Sequence, residues 1–232
     1  MMELLLDIGN SRSKARLHDA GQLTEIQLEQ ISSELWASIK AVYCASVAAE
    51  SRVLAIREHI PSIVPFIQIR SEARAFGVCN SYKQPQLLGV DRWLALVAAS
   101  ALYPEKDLLI ADAGTALTVD WLSAAGVHGG GWILAGQRLQ QEAVLSKTAK
   151  VFSAQLETEQ LCPATDTATA LYQGAIAALV GAIRQAFAIK PTELIILTGG
   201  DAGLLQKYLT DLPVQLESQL IFQGLARYIE PN

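Results

Sequence analysis

An α/β protein made of two related halves is what the sequence predicts, and three observations predict it. A short apolar run ending in Asp-x-Gly occurs twice, at Leu4-Leu5-Leu6-Asp7-Ile8-Gly9 and at Leu108-Leu109-Ile110-Ala111-Asp112-Ala113-Gly114. Strand-like and helix-like segments alternate between the two copies, as they do in layered α/β folds. Hydrophobic residues fill 51% of the 232 positions, enough to bury a core in one large or two small domains.

In each copy the apolar run bounded by Asp and Gly reads as a buried strand, and residues 14–18 and 117–121 return as a second strand after a tight turn. Residues 33–40 then read as helix, 41–46 as strand, 49–59 as helix, 64–69 as strand and 90–103 as a very apolar helix. Pro104-Glu105-Lys106-Asp107 separates that helix from the second opening strand, so the halves are residues 1–105 and 106–232. The second half carries a long helix over 168–187, a strand at 194–197, the turn Gly199-Gly200-Asp201 and a helical tail.

Charge narrows the function classes. With 18 Lys+Arg against 23 Asp+Glu and a net charge of −5, there is no general basic field for nucleic acid. An anionic ligand must be held locally, by backbone amides, a helix N-terminus, a metal ion or one well-placed Arg. The apolar stretches 93–103 and 170–183 fall short of the ~20 residues that span a bilayer, so no membrane role is expected. The start Met1-Met2-Glu3 lacks the basic opening of a secretory signal. Cys44, Cys79 and Cys162 are an odd number without metal spacing, and a reducing cytoplasm fits them best. His18, His59 and His128 share no ligand spacing and are expected in surface or packing roles.

The turns carry the chemistry. In Asp7-Ile8-Gly9-Asn10-Ser11-Arg12-Ser13-Lys14, a Gly after a strand-end Asp lets amides approach a phosphate, hydroxyl and amide side chains donate, and Asp7 holds a metal's water shell. Alone, such a turn reads equally as a plain hairpin. The second copy, Asp112-Ala113-Gly114-Thr115-Ala116-Leu117-Thr118-Val119-Asp120, repeats it with Thr hydroxyls, and two turns are expected to share one triphosphate across a cleft between the halves. Gly199 and Gly200 in Thr198-Gly199-Gly200-Asp201-Ala202 form either a tight connection capped by Asp201 or a seat for adenosine. Neither a P-loop nor a dinucleotide fingerprint is present.

Gly89-Val90-Asp91-Arg92 opens the apolar helix. One reading is a cap and a solvated charge. The other has Asp91 deprotonating a substrate hydroxyl while Arg92 grips a carboxylate, for which its fork suits better than Lys. Phosphoryl transfer asks mainly for positioning and charge stabilisation, so an ordinary carboxylate base is adequate. Gly129-Gly130-Gly131-Trp132-Ile133 reads as a flexible loop or as backbone passing close to substrate.

Together these residues resemble the type III pantothenate kinases, also called the Bvg accessory factor family, within the actin-like (ribonuclease H-like) superfamily that includes acetate and sugar kinases. The resemblance spans nearly the whole chain: residues 7–14, Tyr82 with Pro85, the GVDR of 89–92, residues 112–120, GGW-I at 130–133 with Gly136, Thr167 with Gly174, TGGDA at 198–202, and Gly224-Leu225. It implies two duplicated actin-like domains with an interdomain cleft, and ATP-dependent phosphorylation of the primary hydroxyl of pantothenate, the first step of coenzyme A synthesis. Asp91 then looks like the general base. ATP phosphates fall to Asp7, Ile8, Gly9, Asn10, Ser11, Arg12, Ser13, Lys14 and Thr115, with Gly199 and Gly200 also on the nucleotide. Mg²⁺ accompanies ATP, and a monovalent cation, potassium or ammonium, falls to Asp112. Pantothenate falls to Tyr82, Gly89, Val90, Asp91, Arg92 and Thr167 of a neighbouring subunit, which implies a homodimer.

This sequence departs from the family pattern in three ways. Ser11 stands where Thr is usual and keeps the hydroxyl; Ala135 stands where Pro is usual and frees a φ angle; and the chain is somewhat short. Two other functions share these features: a regulatory protein that kept the fold and binds ATP without transfer, and a kinase for another small carboxylated alcohol.

Overall fold

In the computed structural model, which describes residues 2–148 and 161–229, each apolar run forms the middle strand of its own five-stranded sheet. The chain divides into a first unit, Met1–Leu102 with Gln219–Asn232, and a second, Tyr103–Ser218.

The first unit contains β1 (Met2–Ile8), β2 (Ser13–Asp19), β3 (Gln22–Ile26), α1 (Ser33–Ser38), β4 (Ile39–Ser46), α2 (Glu50–Arg57), β5 (Phe66–Gln68), β6 (Arg74–Ala75), β7 (Val78–Cys79) and α3 (Val90–Leu102). Its sheet runs β3-β2-β1-β4-β5. The pairs β1–β2 and β2–β3 are antiparallel, while β1–β4 and β4–β5 are parallel. Because successive side chains of a strand face opposite ways, a middle strand covered on both faces must be aliphatic throughout. Accordingly Leu4, Leu5 and Leu6 are at most 1% exposed. Leu4, Leu6 and Ile8 pack with Val42, Cys44 and Val53.

The second unit repeats the plan with β8 (Leu108–Ala113), β9 (Ala116–Leu122), β10 (His128–Ala135), α4 (Gln137–Leu145), α5 (Thr167–Ile189), β11 (Leu194–Thr198), α6 (Ala202–Gln206) and β12 (Val214–Leu216). Its sheet runs β10-β9-β8-β11-β12, with the antiparallel and parallel pairs in the same places. Leu109 and Ala111 of β8 pack against Ile176, Leu179 and Ile183 of α5. Asp166 caps α5 by accepting the Thr169 N–H at 2.9 Å. The duplicated α/β architecture is therefore present as expected, strand for strand.

Residues 129–133 are not a loop. They lie in β10, an edge strand paired with β9, with Trp132 set edge-on to Trp121 at 5.1 Å. The histidines have packing contacts. His128 and Asp120 are buried and meet at 2.8 Å, His18 meets Glu3 at 3.3 Å, and His59 sits 2.9 Å from the Ala55 carbonyl. No described helix is long and apolar enough to cross a membrane.

The helical tail, expected with the second half, packs instead in the first unit as α7 (Leu220–Ala226). It crosses α3 so closely that a Cβ on Gly224 would lie 2.3 Å from the Leu94 carbonyl oxygen. Beyond it, Trp93 Nε1 donates to Tyr228 Oη at 2.8 Å, and Tyr228 donates to Glu72 at 2.6 Å. Ala is the better helix former by about 1 kcal/mol, yet here its methyl group has nowhere to go. Gly224→Ala should therefore destabilise the protein by about 1–3 kcal/mol in denaturant unfolding; an unchanged or raised midpoint would contradict the close crossing.

Candidate active site

The first turn leaves the carboxyl end of β1. Gly9 N–H donates to the Arg12 carbonyl at 2.9 Å, closing a loop in which Asn10 through Lys14 are exposed. Arg52 of α2 secures it, donating to the Asn10 carbonyl at 2.7 Å and to Ser13 Oγ at 3.3 Å. The Ile8 carbonyl accepts from Val47 N–H at 3.2 Å and Ser46 Oγ at 3.3 Å. Asp7, half-buried on β1, is pushed up to about 6 by burial, a rise that Lys14 opposes and the Asp91 carboxylate reinforces. Asp7, Lys14 and Asp91 thus belong to one electrostatic neighbourhood.

Asp91 and Arg92 lie in the first turn of α3. Trp93 N–H donates to the Gly89 carbonyl at 3.0 Å and starts the helix, and Arg92 N–H donates to Asp91 Oδ1 at 2.8 Å. Arg92 is not a solvated charge, for it is only 5% exposed. Its Nη1 donates to Tyr82 Oη at 2.8 Å, and its guanidinium carbon stands 5.6 Å from the centre of the Tyr82 ring. A guanidinium stays protonated even when buried, so this end of α3 carries a fixed positive charge next to a carboxylate.

In the second unit, three turns converge. Asp112 pairs in register with Thr118 on one side and Thr198 on the other. Gly199 has φ +92°, and a Cβ there would lie 2.4 Å from both Asp112 Oδ1 and the Ala113 carbonyl oxygen. Asp201 N–H donates to that Ala113 carbonyl at 2.9 Å, while Gly136 N–H donates to the Thr115 carbonyl at 3.0 Å. The departure at Ala135 leaves this corner tied, since the Ala135 carbonyl also accepts from Gln140 at 2.8 Å. Asp201 precedes α6 without capping it through its side chain.

The structure therefore brings together Asp7, Lys14 and Asp91, then Tyr82 with Arg92, in one unit, and Asp112, Thr115, Gly199 and Gly200 in the other. Thr167 opens α5 and is exposed. Among the described residues no group of three or more His, Cys, Asp or Glu side chains makes a metal site. Asp112 Oδ1 and the Ala113 carbonyl, both close to Gly199, are hard oxygen donors of the kind that suit a cation without nitrogen or sulfur ligands. Sequence reasoning missed Arg52, whose contacts reach back to the first turn from α2.

The family model described as type III pantothenate kinase matches residues 3–188. A protein named type III pantothenate kinase from Colwellia psychrerythraea is 33% identical over 248 residues, covering 98% of this chain and all of that one. Among solved structures, a Baf family protein from Campylobacter jejuni, described as a transcriptional activator, aligns with a TM-score of 0.63 at 25% identity, covering 97% of this chain and 96% of that one. The activator of 2-hydroxyisocaproyl-CoA dehydratase from Clostridium difficile, with bound ADPNP, aligns with a TM-score of 0.52 at 10% identity, covering 98% and 94%, and supports the fold alone. Matched along nearly its full length by the family and carrying that family's turns in order, the chain belongs to the type III pantothenate kinases.

Proposed function

We propose that this protein transfers the γ-phosphoryl group of ATP to the primary hydroxyl of pantothenate. The observation that supports this best is the buried Arg92–Tyr82 pair next to Asp91 at the start of α3. Arg92 holds the carboxylate of pantothenate, and Tyr82 limits the positions its guanidinium can take. Gly89 and Val90 line the approach. Asp91 takes the hydroxyl proton as the new O–P bond forms and the bond to ADP breaks. Because the transferred group passes through a loose transition state, placing the hydroxyl in line matters more than base strength.

Residues 7–14, with the exposed Ser11 and Ser13 hydroxyls and Lys14, receive ATP phosphates, joined by Thr115; Gly199 and Gly200 receive adenosine. Mg²⁺ would neutralise phosphate charge, with Asp7 holding its water shell, and a monovalent cation, potassium or ammonium, would bind Asp112. The working unit is a homodimer in which Thr167 completes the partner's pantothenate site. The exposed side of α5 supports this reading: Ala170, Gly174, Ala177 and Gly181 are all small and uncharged, and an apolar depression of about 370 Å³ lies beside Leu161 and Pro163. A metabolic role in the cytoplasm follows from this reading.

The Campylobacter relative's description as a transcriptional activator favours a second reading, in which the fold binds ATP without transferring phosphate. Coupled ATP consumption with Mg²⁺, potassium and pantothenate separates the two, and a panel of other carboxylated alcohols tests the acceptor. Asp91→Asn should lose about 10²–10⁴-fold in kcat while ATP binding persists; full activity in that variant would remove Asp91 from the mechanism.

Thr167→Ala should raise KM for pantothenate, and mixing it with Asp91→Asn subunits should restore a fraction of sites with a normal KM. A monomer in sedimentation, or no recovery on mixing, would reject the shared site. Asp7 yields a pH test. Its folded value of about 6 lies above the ordinary 3.8, so the folded state binds the proton more tightly and stability falls as pH rises from about 4 through 6. Asp7→Asn should be inactive yet more stable at pH 7.5 by about 3 kcal/mol, a gain that vanishes below about pH 4. Equal stability at pH 7.5 would show that Asp7 is not held in a desolvating site.

A further inference from the structure

Ahead of α3 the chain from Ser71 to Gly89 makes the short hairpin of β6 and β7 and then an irregular stretch that carries Tyr82. Beyond that hairpin the described chain to Gly89 has no strand pairing, so some side chain must help to hold it in place. Asn80 does so. It is only 7% exposed, its Nδ2 donates to the Glu72 and Pro85 carbonyls at 3.1 Å each, and its Oδ1 accepts the Tyr82 N–H at 3.0 Å. Its own N–H donates to the Ala73 carbonyl at 3.0 Å. Both donors of the amide and its oxygen are thereby used, on both flanks of Tyr82. The loop's base is fixed separately by buried Ser71, which donates to the Leu88 carbonyl at 2.8 Å.

We infer that Asn80 is a positioning residue for the acceptor: by holding the backbone of Tyr82 it sets where the Tyr82 hydroxyl meets Arg92, and through Arg92 where a carboxylate is gripped. This rests on the function proposed above. A carboxylate at position 80 would face two carbonyl oxygens with no proton to give them, and a Ser would retain one short donor. Either change loosens Tyr82 without touching substrate.

The test is steady-state kinetics of the intact enzyme. Asn80→Asp and Asn80→Ser should raise KM for pantothenate roughly 10-fold or more, as expected for losing about 1.5 kcal/mol of aligned hydrogen bonding, with KM for ATP little changed. In a Tyr82→Phe background the same substitutions should add almost nothing, because the effect travels through the tyrosine hydroxyl. Val53→Ala, a core change in α2, serves as the stability control: it should lower the melting temperature and leave KM for pantothenate alone. If Asn80→Asp does not fold, Asn80→Ser carries the comparison. An unchanged KM for pantothenate, equal loss for both substrates, or full additivity with Tyr82→Phe would overturn the inference. Failure of the wild-type protein to phosphorylate pantothenate would instead overturn the proposed function, and this inference with it.

Discussion

The two carboxylates that open the candidate site's turns, Asp7 and Asp112, are each delivered by a strand whose interior cannot be polar. β1 and β8 are hydrogen-bonded on both edges and covered on both faces, so their middles are leucine, isoleucine and alanine. Asp7 and Asp112 stand near the carboxyl end of each strand, which is where open α/β sheets generally bind ligands. Register keeps them there. Asp7 sits opposite Lys14 and Ala45, and Asp112 opposite Thr118 and Thr198; a slip of one residue would turn each carboxylate to the other face.

That constraint also explains what could be read from residues alone. The opening strands, the apolar helix α3 and the long helix α5 were legible because burial demands an unbroken apolar run or stripe, and both leave a clear pattern. β3 was not, since most of its side chains are exposed and its sequence is polar. β10 was hidden by three glycines that mimic a loop, although its pairing with β9 depends on backbone rather than side chains. Asp91 and Arg92 were visible as a pair, but whether Arg92 faced water was a question of packing that no local pattern answers. The docking of α7 was further out of reach, because it turns on one missing methyl group at Gly224 against Leu94, two residues in distant parts of the chain.

The two carboxylates of the first unit play opposed parts. Burial raises Asp7 and the Asp91 carboxylate reinforces the rise, while the cationic side chain of Lys14 opposes it. Arg92 presents the complementary problem, a permanent charge that is only 5% exposed, partly answered by the Tyr82 hydroxyl. Such poised charges are the usual mark of a site waiting for a charged ligand rather than of a site optimised for rigidity.

The return of α7 to the first unit has a bearing on biosynthesis. All of the second unit is translated before residues 220–226 leave the ribosome, so that unit, a continuous segment, is free to fold first. The nascent first unit meanwhile lacks the cover that α7 gives the Leu94 flank of α3.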